Sequence, residues 1–155
     1  MLIYLVQHGD ALSKEQNPER PLSEKGRINA ERMASFLARS GTRAQRVLHS
    51  GKARARDTAV LLSQVIGPGG VVEEISGISP NDSTHGLKEL VENGDGGILV
   101  VGHLPFMGRM VSHLLTGTPE PDTVTFEPGS VVALERGDEG GWTVRWMVRP
   151  SLLGG

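Results

Sequence analysis

The stretch Leu2-Ile3-Tyr4-Leu5-Val6-Gln7-His8-Gly9 decides how this chain is read. An uninterrupted apolar run of this kind, without polar alternation, is the mark of a strand covered on both faces. It therefore reads as a central strand, and it ends in a histidine. Ligands of open α/β sheets gather outside the carboxyl ends of the strands, and a following glycine lets the backbone come close to a bound group. His8 is thus the first candidate for chemistry, with the uncharged Gln7 beside it.

Two more apolar runs follow the same plan, Arg46 to Leu48 and Ile98 to Val101, each ending in a polar or glycine-bearing turn that leads into a helical pattern. The alternation predicts an α/β fold: a three-layer α/β/α sandwich with a central, mostly parallel sheet and helices on both faces. A polar loop, Asp10 to Pro21, precedes a helix capped by Ser23, with Ala30, Met33, Ala34 and Leu37 at helical spacing and an end near Gly41. A second helix spans Ala53 to Ile66 and stops at Gly67-Pro68-Gly69-Gly70. Val71 to Ile75 is read as a strand, His85 to Asn93 as a short helix, and Pro105 to Leu115 as a helix with proline in its first turn. Ser130 to Glu135 and Trp142 to Val148 flank a glycine-rich turn. Trp142, Val144, Trp146 and Val148 alternate with Thr143, Arg145, Met147 and Arg149, which predicts a C-terminal hairpin giving the sheet an antiparallel edge. The segment between Thr116 and Pro128 holds three prolines and suits either a flap over a site or a plain connection.

Length fits one domain over residues 1–155. With 16 basic and 18 acidic residues and a net charge of -2, the chain has no global attraction for nucleic acid or anionic lipid. Any anion site must be local. The absence of cysteine excludes disulfides, thiol catalysis and thiolate metal sites, and fits a reducing cytoplasm. The opening MLIYLVQHGD lacks a basic leader region, and no stretch approaches the roughly 20 apolar residues of a membrane span. A cytoplasmic monomer without membrane or nucleic-acid partners is expected.

If the three apolar runs are neighbouring parallel strands, their carboxyl ends align His8, Ser50 and His103 along one rim. Arg54, four residues after Ser50 at the start of a helix, adds a guanidinium and free helix N–H groups, a combination that favours an anion. A phosphoryl group suits such a rim, because its transfer depends on positioning and on neutralising its oxygens. Singly, a strand-end histidine is often only a hydrogen-bonded structural residue, and an early-helix arginine only a solvated one. Two histidines set against glycines, His8-Gly9 and Gly102-His103, are harder to attribute to packing. His49, His85 and His113 lack that setting and are read as structural or surface residues. Paired histidines also serve zinc, but no His-x-x-x-His or His-carboxylate helix pair is present, and no metal or cofactor is expected.

Together these residues resemble the histidine phosphatase superfamily, whose signature Arg-His-Gly corresponds here to Gln7-His8-Gly9. Ser50-Gly51-Lys52-Ala53-Arg54-Ala55-Arg56-Asp57-Thr58 is similar to the family's Ser-x-x-x-Arg-x-x-x-Thr element, and Val101-Gly102-His103-Leu104-Pro105 to its second-histidine segment. Arg20-Pro21-Leu22-Ser23-Glu24-Lys25-Gly26 and the Gly-His-Leu-Pro form resemble SixA-type phosphohistidine phosphatases. The resemblance implies that His8 attacks phosphorus, that Arg54 and His103 bind and stabilise the transferring group, and that Gln7, Gly9 and Arg20 add phosphate contacts. It further implies a phosphorylated protein as substrate, such as a histidine-phosphotransfer domain, with inorganic phosphate as product.

Two departures from the family pattern carry consequences. Gln7 replaces an arginine, removing a charge and a bidentate fork, which predicts weakened catalysis or a phosphate-binding module with little turnover. The general acid that other branches place in mid-chain has Asp82 as its nearest candidate here, and the start of the next helix is the more ordinary use of that residue. A weak acid function favours phosphohistidine, whose phosphorus–nitrogen bond breaks readily, over a small phosphate ester or a phosphoserine protein.

Overall fold

A computed structural model describes residues 1–154. The apolar runs become strands β1 (Leu2–Gln7), β2 (Arg46–His49) and β4 (Ile98–Gly102), and the short β3 (Glu73–Glu74) joins them. β5 (Val131–Arg136) and β6 (Trp142–Val148) form the antiparallel C-terminal hairpin. All six lie in one sheet of order β3-β2-β4-β1-β5-β6. The four N-terminal strands run parallel, and β5 pairs antiparallel with β1, with Leu5 opposite Val132. The hairpin thus forms an edge, as its sequence predicts.

Side-chain alternation along β1 sorts the core into two layers. Ile3 and Leu5 pack with helices α3 (His85–Glu92) and α4 (Phe106–Thr116), through Leu87, Val91, Phe106, Met107 and Met110. Tyr4 and Val6 face α1 (Glu24–Arg39) and α2 (Ala53–Ile66), through Met33, Leu37, Ala55 and Ala59. Ser23 caps α1 by accepting the Gly26 N–H at 3.0 Å.

Several elements differ from their sequence reading. The strand expected over Val71–Ile75 contracts to two residues, because it pairs on one side only, Glu73 with Leu48 and Glu74 with His49, and leaves Val71 exposed. Pro105 stands at the cap of α4, its carbonyl accepting the Arg109 N–H, rather than inside the first turn. In β6 the register against β5 jumps from Trp146–Ala133 to Val144–Leu134, so Arg145 is an extra, bulged residue. A bulge reverses which face each side chain takes. Trp142 accordingly joins the α3/α4 layer, whereas Trp146 packs in the other layer, with its ring 5.9 Å from Tyr4. The segment from Thr116 to Pro128 lies along α4 as a connection: Ser112 Oγ donates to the Pro121 carbonyl, and Phe126 is buried in the core. A short 3-10 turn, Pro150–Leu153, follows β6 and packs against the α1 side, an element with no strong sequence signal.

Among the described residues, no helix is long and apolar enough to cross a membrane.

Candidate active site

The central strands β2, β4 and β1 are neighbours, so their carboxyl ends bring Ser50, His103 and His8 to one rim. Gln7 sits opposite Gly102 in the register of β1 and β4, and the His8 N–H donates to the Gly102 carbonyl at 3.0 Å. The two histidine rings stand 5.1 Å apart, tilted at 54°.

The tautomer of His8 follows from its partner. Nδ1 lies 2.7 Å from the Gly9 carbonyl oxygen, which can only accept, so Nδ1 carries the proton and the lone pair is left on Nε2. Burial pushes the His8 pKa below its ordinary value, and the positive charges of Arg54 and Arg20 push the same way, against the Gly9 hydrogen bond and Asp10. His8 is therefore neutral near pH 7, with a nucleophilic nitrogen exposed on one side of the ring.

His103 is buried, and its Nε2 is 2.6 Å from Ser50 Oγ. Burial lowers its pKa to about 4, assisted by His8, Arg54, Lys52 and Arg20. Its Nδ1 has no hydrogen-bond partner, and neither does Arg54 Nε or Gln7 Oε1. Buried polar atoms without partners are uncommon, and three of them at one strand-end rim mark a place where folding has not satisfied its own polar groups. Burial and the neighbouring Arg20 lower the pKa of Arg54, which stays a cation.

Arg20 reaches the rim from the polar loop. Its φ of 49° is in the left-handed region, a conformation that a non-glycine residue holds only when its surroundings impose it. Here the N–H of Arg20 donates to the Asn17 carbonyl and Nε to the Leu12 carbonyl, while the loop closes through Leu12 N–H to Pro21. Arg20 and Arg54 line the same cleft, of about 600 Å³.

Two further sequence candidates have hydrogen-bond partners of their own. Gly9 lies next to His8, and its N–H donates to Thr58 Oγ1 at 3.0 Å. Thr58 Oγ1 in turn donates to the Arg54 carbonyl at 2.8 Å, one helical turn back, so Thr58 fastens the His8 turn to the helix that carries Arg54. Asp82 stands in the loop before α3, its carboxylate accepting the Ser79 N–H at 2.9 Å. The carboxylate that does act on His8 is Asp10, and it accepts the Ser23 hydroxyl at 2.6 Å.

The other histidines have local partners. His49 Nδ1 accepts the Gly51 N–H, and His113 Nδ1 pairs with the Thr84 hydroxyl while its ring meets His85 edge-on at 4.8 Å.

The roles of Thr58 and of the Ser50 hydroxyl were missing from the residue-by-residue reading. The signal was there: Thr58 lies four residues after Arg54, and that spacing returns a threonine hydroxyl to the earlier carbonyl.

The architecture and sequence match known proteins. Residues 3–76 fit the model of the histidine phosphatase superfamily (branch 1). The phosphohistidine phosphatase SixA of Escherichia coli K12 is 26% identical over 158 residues, covering 99% of this chain and 96% of that protein. The solved structure of the protein histidine phosphatase SixA complexed with tungstate superimposes with a TM-score of 0.84 at 25% identity, covering 99% of each chain. A phosphoserine phosphatase from Entamoeba histolytica, in complex with 3-phosphoglyceric acid, shares the fold at a TM-score of 0.69 and 16% identity over 94% of this chain and 95% of its own. The chain is thus similar along its whole length to SixA, and over residues 3–76 it matches the histidine phosphatase superfamily, branch 1.

Proposed function

We propose that this protein hydrolyses phosphohistidine in a partner protein, such as a histidine-phosphotransfer domain, through a phosphorylated His8. The observation that carries the reading is the pairing of a neutral His8, protonated on Nδ1, with the cations Arg54 and Arg20. His8 Nε2 attacks phosphorus as the substrate's phosphorus–nitrogen bond breaks, and the substrate imidazole, already protonated by solvent on its other nitrogen, takes the bonding pair and departs as the neutral ring. Water then attacks the phosphoryl group on His8, releases inorganic phosphate and returns the lone pair to Nε2. Arg54 and Arg20 hold the phosphoryl oxygens, and Gln7 offers an amide N–H in place of a charge.

His103 is neutral in the free enzyme and becomes a further positive donor when an anion enters, because the negative charge offsets the burial that depresses its pKa. Ser50 positions that ring through the 2.6 Å contact. An ester substrate expels an alkoxide and needs a proton donor; Asp82, which accepts the Ser79 N–H, and Asp10, which accepts the Ser23 hydroxyl, make no hydrogen bond to His8 or His103. An imidazole leaving group has no such need.

Turnover of phosphoramidate and of a phosphohistidine protein, compared with p-nitrophenyl phosphate, tests this directly. The expected result is kcat/KM at least about tenfold higher for the phosphorus–nitrogen substrates, which corresponds to about 1.4 kcal/mol in the barrier. Equal or better hydrolysis of the ester would overturn the substrate assignment. Phosphoprotein binding without turnover, unchanged in His8→Ala, would make the protein a binding module instead.

A further inference from the structure

The cleft that holds Arg20 and Arg54 continues past them to Lys14, Lys52 and Arg56, with Glu19 as the carboxylate on its lining. Lys14, Lys52 and Arg56 are exposed, and none of the five cations forms an ion pair among the described residues. The chain as a whole is slightly acidic, so this is a local concentration of charge.

Its position runs against the helix that carries it. Lys52 is the N-cap residue of α2, Arg54 and Arg56 stand in the first turn, and that turn has no acidic residue. The positive end of a helix favours carboxylates, and neighbouring like charges repel. Folding therefore does not ask for these cations. A ligand with several negative charges does.

We infer that Lys14, Lys52 and Arg56 form a docking surface for the acidic flank of a phosphohistidine protein, which seats the phosphoryl group on His8. The inference rests on the proposed phosphohistidine reading and extends it to the substrate's surroundings. Exposed, flexible cations hold a small anion poorly, since each surface ion pair contributes little. Spread along an open cleft, they suit an extended acidic protein face, where they steer encounter and fix register.

The test uses two phosphohistidine peptides, one flanked by glutamates and one by serines, with phosphoramidate as the substrate that lacks any flank. Lys14→Ser/Arg56→Ser is the informative variant, because neither residue is a hydrogen-bond partner of His8 or His103, whereas the charge of Lys52 acts on His103. Wild type should prefer the acidic peptide by about tenfold in kcat/KM, falling as salt rises, and the variant should lose most of that preference while phosphoramidate turnover stays the same. No preference in wild type, or the same preference in the variant, overturns the inference. A variant that loses turnover of inorganic pyrophosphate but keeps the peptide preference would assign the cleft to a second phosphate of a small substrate, and also overturns it. Should wild type turn over none of these substrates, the phosphohistidine reading fails by itself. Fluorescence anisotropy of the labelled, unphosphorylated acidic peptide then decides the surface: binding lost in the variant upholds it, and equal binding refutes it.

Discussion

Replacing His103 by asparagine changes how stability depends on pH, and the size of the change follows from its surroundings. His103 is 2% exposed and its pKa is lowered to about 4 from an ordinary 6.5. A histidine depressed in the folded state binds fewer protons there than when unfolded, so its contribution is fully present above pH 6.5 and is lost as pH falls toward the folded value. Relative to neutral pH, the loss reaches about 1.4 kcal/mol near pH ~5.5 and about 2.6 kcal/mol near pH ~4.5. Asparagine cannot titrate and lacks this slope. Urea unfolding of both proteins across that range separates this group from the carboxylates, which titrate in both. The wild-type curve should fall toward or below that of His103→Asn as pH drops, the difference changing by about 2 to 3 kcal/mol over two pH units. Parallel curves would refute the neutral, desolvated His103. Saturating tungstate should flatten the wild-type slope, because a bound anion favours the protonated ring.

Other changes have equally definite outcomes. Gln7→Arg restores a charge-assisted contact worth about 1.5 to 3 kcal/mol and should raise kcat on phosphoramidate about ten- to a hundredfold; unchanged or lower kcat excludes position 7 as the weak point. Gly26→Ala would drive a Cβ into the Asp10 carbonyl oxygen, in contact with backbone that cannot yield, and should destabilise by about 3 kcal/mol while displacing the turn after His8. A thermal midpoint within a degree or so of wild type would contradict that packing. Thr58→Val removes the acceptor of the buried Gly9 N–H and should cost about 1 to 3 kcal/mol in urea unfolding, with a lower kcat as His8 loosens from α2. Full activity in that variant would mean that the turn is held by other contacts.

The layers, the neighbouring parallel strands and the rim with His8, Arg54 and His103 were legible because each rests on local signals: apolar runs, helical spacing and glycine-bearing turns. What escaped the reading depends on distances across the fold. The extra residue in β6 is invisible in the strict alternation of Trp142, Val144, Trp146 and Val148, since only the pairing partner β5 shows that Arg145 is unmatched. The acceptor of the Gly9 N–H lies 49 positions away, in α2. The left-handed backbone of Arg20 is likewise a product of loop closure through Leu12, Asn17 and Pro21. The bond from the Ser79 N–H to the Asp82 carboxylate also depends on how that loop closes.

The central claim is that His8 carries the phosphoryl group. Rapid quenching of wild type with phosphoramidate into alkali, followed by peptide mass mapping, tests it most directly. The account predicts one phosphoryl group on His8, stable in alkali, lost in acid and absent from His8→Ala. Turnover without label on His8, or with label on another residue, would contradict it.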